Sequence, residues 1–153
     1  MITQEKNKTN TELAIELSRL MQELRNFTRK YVQKKIKEHG IDLTFEMLEV
    51  MGCLWRNDGL NQQEIADTTF RDKSSMTYLL DNLIKRKLVK RSADKNDRRN
   101  KLILLTKEGL ALKDILYPWV AEVYELASGE ATREDLQNGV LLIRKMVNNL
   151  KKE

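Results

Sequence analysis

The sequence predicts a mainly helical protein with one small β-hairpin. Three observations indicate this fold class: apolar stripes with helical spacing at both ends of the chain, three shorter helix patterns in the middle, and two short apolar runs around a polar loop. The chain has 153 residues, the usual size of one domain. We therefore expect residues 1–153 to form a single domain.

Both ends of the chain are predicted to be long amphipathic helices. The first forty residues carry apolar residues at spacings of three and four, and Gly40 ends the pattern: Leu13, Leu17, Leu20, Leu24, Phe27 and Tyr31. A second stripe follows the start signal at Thr132: Leu136, Val140, Ile143, Val147 and Leu150. Either stripe could pack inside the monomer, but two narrow seams favour a helical homodimer, with 10–39 and 106–150 as its dimerisation region.

Three shorter helices are predicted in the middle of the chain. The first covers about 44–57, and the second covers about 61–68, where Asn61 and Glu64 form a capping box. After a short turn, Asp72 can cap a third helix that ends near 86–88. Its buried face would contain Met76, Leu79 or Leu80, and Leu83.

A β-hairpin is predicted directly after these helices. The strand-like runs 88–91 and 101–105 flank a polar loop, 92–100, that carries Asp97, Arg98 and Arg99. Two helices joined by a short turn and followed by a hairpin form a winged helix-turn-helix, which we assign to 44–105. The expected fold is thus mainly α with a small β-hairpin wing, and it combines this region with terminal dimerisation helices.

The net charge of the chain is concentrated in this winged region. Residues 60–101 contain eleven Lys and Arg against six Asp and Glu, a difference that equals the +5 of the whole chain. The third helix also presents a cation, three short hydroxyl side chains and an aromatic ring, which are groups that contact phosphates and base edges: Lys73, Ser74, Ser75, Thr77 and Tyr78. Double-stranded DNA is the expected partner, and a merely solvated polar face is the alternative.

The hairpin tip adds a second candidate DNA contact. Arg98, Arg99 and Lys101 are basic, and an arginine at such a tip suits the negative potential of a narrow minor groove. Asp97 lies two residues before Arg99, so its carboxylate can orient that guanidinium.

The segment from Asp97 to Gly109 resembles the wing signature of the MarR-type winged helix-turn-helix transcription regulators, D-x-R followed by an apolar strand and L-T-x-x-G. Leu60 to Ala66 and Lys73 to Thr77 resemble the two helices of the family's DNA-binding motif. The resemblance implies an obligate dimer over a palindromic operator, with Arg99 in the minor groove. Two residues depart from the family pattern: Tyr78 is bulky, and Lys87 replaces a common Gly, so that either Lys87 takes a left-handed conformation or the helix ends differently.

The same resemblance implies a cleft for a small aromatic effector between the dimerisation helices and the winged region. Trp55, Tyr117 and Trp119 are the candidate lining residues, although aromatic residues on helix faces are more often core. Thr106 is expected to cap the helix that follows the hairpin.

Composition argues against several other classes of protein. A single Cys and a single His exclude an intrachain disulfide or a multi-Cys zinc site, so we expect no metal, no cofactor and no enzyme activity. Cys53 is predicted to be a buried small hydrophobe, with redox sensing as the alternative, and His39 is predicted to cap the first helix. The absence of an apolar span or leader pattern predicts a cytoplasmic protein that does not associate with a membrane.

Together these features predict a sequence-specific, DNA-binding transcription regulator. We expect a repressor that binds a palindromic operator as a homodimer and that a small molecule releases. The alternatives are a sequence-independent architectural DNA binder and a helical adaptor that does not bind DNA.

Overall fold

The computed structural model describes residues 8–93 and 100–152. Within these ranges the chain forms six helices and a three-stranded antiparallel sheet, as the sequence predicted for the fold class. The elements are α1 (Asn10–Glu38), α2 (Phe45–Arg56), β1 (Leu60–Asn61), α3 (Gln62–Thr69), α4 (Lys73–Lys85), β2 (Val89–Ala93), β3 (Lys101–Leu105), α5 (Lys107–Ser128) and α6 (Arg133–Leu150).

Side-chain caps define where the helices begin. The predicted capping box at the start of α3 is present: the Asn61 side chain accepts a hydrogen bond from the Glu64 amide, and Glu64 accepts one from the Asn61 amide. Thr132 and Asp135 form the same arrangement at α6. The hydrogen bonds donated by Thr132 hold the pKa of Asp135 below its usual value. These local bonds confirm the predicted starts to within one residue.

Two helices end on a residue with positive φ that is not glycine. Lys87 has φ 59°, which is the first of the two alternatives for this position, and the Leu88 amide donates to the Leu83 carbonyl across it. Phe70, with φ 53°, closes α3 in the same way, since the Arg71 amide donates to Ala66. Left-handed backbone is costly for such side chains, so tertiary packing must hold both turns.

The sheet has the order β1-β3-β2. β2 and β3 pair in the predicted hairpin, from Val89 opposite Leu105 to Ala93 opposite Lys101, so β2 extends two residues further than the sequence indicated. β1 was not predicted. It has only two residues, and its pairing with Ile103 and Leu102 is a long-range contact that no local pattern signals.

The core lies between α2, α4, the sheet and the neighbouring parts of α1 and α5. The predicted inner face of α4 is buried at Met76 and Leu83, and both Leu79 and Leu80, the two alternatives for the position between them, are buried. The terminal helices differ, because α1 has no buried residue before Thr28 and α6 has none at all. No helix in the described ranges is both long and apolar enough to cross a bilayer.

Thr106 links the hairpin to α5, as the sequence predicted. Its hydroxyl accepts a hydrogen bond from the Gly109 amide at 3.0 Å and donates to the Lys87 carbonyl at 2.6 Å. Thr106→Ala removes both bonds and is expected to lower the free energy of unfolding by about 1–2 kcal/mol, as measured by urea denaturation. Thr106→Ser keeps the hydroxyl and is expected to retain most of the stability. Equal losses in the two variants would contradict the capping role.

Candidate nucleic-acid interface

α3 and α4 form a helix-turn-helix with residues 70–72 as the turn. The buried face of α4 fixes which residues point away from the core. Lys73, Ser74 and Tyr78 are exposed, and Tyr78 keeps 67% of its surface in contact with solvent. Ser75 and Thr77 are half-buried beside them. The five residues predicted for this face thus occur together at the N-terminal half of one helix.

The hydrogen bonds divide these residues into two groups. The Ser75 hydroxyl donates to Asp72 at 2.6 Å, and the Asp72 carboxylate also accepts from the Ser75 amide at 2.8 Å. These bonds hold the pKa of Asp72 below its usual value. The Thr77 hydroxyl donates to the Lys73 carbonyl at 2.9 Å. Ser75 and Thr77 are therefore engaged in holding α4, which leaves Lys73, Ser74 and Tyr78 as its outward groups.

Two further contacts position this surface and were missed by sequence reasoning. The side-chain amide of Gln62 donates to the Thr77 hydroxyl at 2.6 Å, and this bond joins the start of α3 to α4. Arg91 of β2 forms an ion pair with Asp81 of α4 at 2.9 Å, which joins the hairpin to the same helix. Both contacts connect residues at least ten positions apart, so no periodicity or capping pattern could have indicated them.

The described part of the hairpin carries exposed basic residues. Lys101 is exposed at the start of β3, and Lys90 and Arg91 are exposed on β2. The predicted tip residues Asp97, Arg98 and Arg99 lie outside the described residues. The basic character of the wing strands agrees with the predicted anionic partner.

A cavity of about 540 Å³ lies behind the helix-turn-helix. Its walls come from α1, α2, α5 and the end of α3. Trp55 and Tyr117 line it as predicted, together with Thr69 and Phe70 of the helix-turn-helix. Trp55 also has a structural role, since its indole N–H donates to the Gly109 carbonyl at 2.9 Å. Trp119 is not among the lining residues; its ring instead packs on His39, with 4.5 Å between ring centroids.

The single His and the single Cys each have a structural role. His39 caps α1 as predicted: its amide donates to the Lys35 carbonyl at 3.1 Å, and its Nδ1 lies 2.8 Å from the same oxygen. Cys53 is buried in α2 with 2% of its surface exposed, as expected for a small hydrophobe. Within the described residues, no three His, Cys, Asp or Glu side chains are grouped as they would be around a metal ion.

The fold and this surface define a winged helix-turn-helix DNA-binding protein. The MarR family model matches residues 43–101. The chain is 30% identical over 119 residues to the HTH-type transcriptional regulator MhqR of Bacillus subtilis. The aligned region covers 76% of this chain and 77% of that protein. It is also 31% identical over 98 residues to the HTH-type transcriptional repressor NicR of Pseudomonas putida. That aligned region covers 63% of this chain and 62% of that protein.

A solved structure shows the same fold in complex with nucleic acid. A cysteine-to-serine mutant of MarR from Escherichia coli, complexed with operator DNA, superposes with a TM-score of 0.73 at 19% identity, over 91% of this chain and 99% of that one. The chain belongs to the MarR family. It is a DNA-binding transcription regulator, and the proteins of this family are not enzymes.

Proposed function

We propose that the protein is a repressor that binds a palindromic operator as a homodimer and that a small aromatic effector releases it. The observation that carries the DNA-binding part is the outward face of α4. Gln62 and Asp72 hold the helix, while Lys73, Ser74 and Tyr78 remain exposed. Such a face can approach the major groove with its cation on a phosphate and its hydroxyls near base edges.

The terminal helices support the homodimer. α6 has 18 residues, a complete capping box and no buried side chain, although it carries a row of apolar residues. Val140 and Leu136 expose 56% and 50% of their surface, and Leu20 and Leu24 of α1 expose 48% and 46%. Helices in proteins gain most of their stability by packing an amphipathic face, so these exposed stripes need an apolar partner. A second copy supplies the same stripes by symmetry.

Dimer symmetry would place two α4 helices about 34 Å apart, in successive major grooves of one DNA face. Lys73, Ser74 and Tyr78 are proposed to contact the major groove, with Ser75 and Thr77 at its edge. In the wing, Lys101 would contact phosphate and Arg98 would contact the DNA, while the resemblance to the family's wing signature assigns Arg99 to the minor groove with Asp97 orienting it. The Escherichia coli structure of the same fold, which is complexed with operator DNA, supports DNA as the partner.

The cavity supports release by an effector. Its aromatic wall includes Trp55 and Tyr117, and its boundary includes the end of α3. A ligand that fits better when the two α4 helices are wrongly spaced would lower operator affinity in proportion to that preference. The assignment as a repressor is supported by the name of the Pseudomonas putida relative.

Fluorescence anisotropy tests the proposal and separates it from its two alternatives. The protein is titrated against the duplex of its own promoter and against a scrambled duplex, at several salt concentrations. A regulator of this kind is expected to prefer its operator by roughly 10³-fold or more, with one dimer as the binding unit. Equal, salt-sensitive binding to both duplexes indicates an architectural binder, and no binding indicates an adaptor.

Arg99→Ala is expected to weaken operator binding by about 1–3 kcal/mol, or roughly 5- to 150-fold, because a groove-inserted arginine is lost. The same anisotropy assay measures this loss. Lys101→Ala serves as the comparison, since the loss of a phosphate contact weakens both duplexes alike and reduces the salt dependence. Wild-type affinity in Arg99→Ala would show that the wing assignment is wrong.

A further inference from the structure

An unbroken chain of ion pairs runs from α1 to the turn of the helix-turn-helix. Glu49 of α2 lies at its centre and pairs with two arginines at once. One oxygen accepts from Arg25 of α1, and the other accepts from Arg71 at 2.6 Å. Arg71 precedes Asp72, the residue that caps α4, so the chain of ion pairs ends at the start of α4.

Burial increases along this chain towards the turn. The Arg25 side chain keeps 59% of its surface exposed, whereas Glu49 and Arg71 each keep 21%. The Arg71–Glu49 pair is therefore shielded and costly to break, while the Arg25 end is open to competition and to salt. Because both pairs share the Glu49 carboxylate, a change in the exposed outer pair reaches the shielded inner pair.

Arg71 is incompletely satisfied where it stands. Its Nε is buried and has no hydrogen-bond partner within the described residues. A buried donor without a partner is unfavourable. The ion pair with Glu49 must therefore offset most of the cost of burying the Arg71 guanidinium. The adjacent Phe70 is held at positive φ with 94% of its surface exposed, which is a second unfavourable feature in the same turn. Both features are unfavourable for the stability of the fold, and both lie in the turn that leads into α4.

The cavity is in direct contact with this chain of ion pairs. Arg25 and Glu49 both line it, and so do Thr69 and Phe70 on the other side of Arg71. Whatever fills the cavity therefore meets both the outer ion pair and the turn that the inner ion pair holds. No other described ion pair connects the helix-turn-helix turn to a terminal helix.

We propose that the Arg25–Glu49–Arg71 chain sets the orientation of α4 and transmits the state of the cavity to it. Arg71 acts as a positioning residue, through the cap at Asp72. Occupation of the cavity draws Arg25 away from Glu49, the inner pair shifts, and the start of α4 loosens. This inference deepens the proposed release by an effector, and it rests on that function only for its DNA readout.

The first readout does not require DNA. Hydrogen–deuterium exchange of the amides in 70–77 is followed in the full-length protein. Glu49→Gln keeps the shape but removes the charge, and it is expected to speed exchange on the order of tenfold, as for a lost charge-assisted hydrogen bond. Arg25→Gln acts through the exposed pair and is expected to speed exchange about two- to fivefold. In the Glu49→Gln background, Arg25→Gln is expected to add nothing.

Arg29→Gln is the matched control. Arg29 of α1 pairs with Glu46 of α2, so it joins the same two helices as Arg25 does. Glu46, unlike Glu49, forms no ion pair with the turn in the described structure. Arg29→Gln is therefore expected to leave exchange in 70–77 unchanged. Equal effects of Arg25→Gln and Arg29→Gln, or no effect of Arg25→Gln, would overturn the proposed chain.

The second readout is the ratio of operator to scrambled-duplex affinity. Arg25→Gln is expected to lower this ratio about two- to fivefold, with non-specific binding unchanged, although Arg25 lies on a terminal helix. If the wild type shows no preference between duplexes, the proposed function fails. The exchange result then still decides whether the chain of ion pairs orients α4. If the wild type prefers its operator and both Arg25→Gln readouts equal wild type, the inference fails and the function stands.

Discussion

Val140→Glu is expected to convert the protein into a monomer and to weaken operator binding on the order of 10²–10⁴-fold, the gain that linking two binding modules provides. Val140 belongs to the α6 stripe and exposes 56% of its surface in the single chain. In a dimer this position would be buried against apolar side chains. A carboxylate there has no described partner and would have to be desolvated, which opposes association.

Sedimentation velocity measures the assembly, and anisotropy with the operator duplex measures the binding. Asn138→Glu is the control, because it adds the same charge to the same helix about 200° away from Val140 around the helix axis. It is expected to stay dimeric and to bind like the wild type. A dimeric Val140→Glu protein would show that the α6 stripe is not the interface.

Gly109→Ala is expected to lower the free energy of unfolding by about 3 kcal/mol, the upper range for overpacking. A Cβ at this position would lie 2.1 Å from the Leu88 carbonyl oxygen and 3.3 Å from the end of Met51. The Leu88 carbonyl cannot withdraw freely, since it accepts a hydrogen bond from the Thr106 amide at 3.1 Å. α5 must therefore move away from the base of the hairpin.

Gly52→Ala provides the matched control for this prediction. Gly52 also lies inside a helix, but its Cβ would meet only an Arg56 side-chain atom at 3.9 Å, which is ordinary contact. Without a clash, the higher helix propensity of alanine is expected to raise stability by about 0.5–1 kcal/mol. Both variants are measured by thermal unfolding at one protein concentration, because a dimer's melting temperature depends on concentration. A stabilising Gly109→Ala would contradict the predicted close approach.

Much of the fold could be predicted because its signals are local. Asn61 with Glu64, Asp72, Thr106 and Thr132 each cap a helix within three residues of their own position, so a short window contains the whole interaction. The inner face of α4 followed from helical spacing alone. The hairpin followed from two apolar runs around a polar loop, although its first strand is longer than expected.

The candidate site was only partly predictable. The residues of the α4 face were identified by type, but sequence could not separate Ser75 and Thr77, whose hydroxyls are engaged in the fold, from Ser74 and Tyr78, which are exposed. That distinction depends on Gln62 and Asp72 in space. Trp119 was proposed for the cleft from its helix face, yet its place against His39 depends on how α1 and α5 pack.

The sequence by itself determined the helix starts, the hairpin, the basic winged region and the resemblance to one family. Only the tertiary structure decided that two residues before α3 join the sheet, that Glu49 connects Arg25 to Arg71, and that α6 buries none of its side chains against the described part of the chain. The physical reason is the range of the interactions. Caps and periodicity act within one or two helical turns, whereas ion pairs between helices and unburied stripes are set by packing across the whole domain.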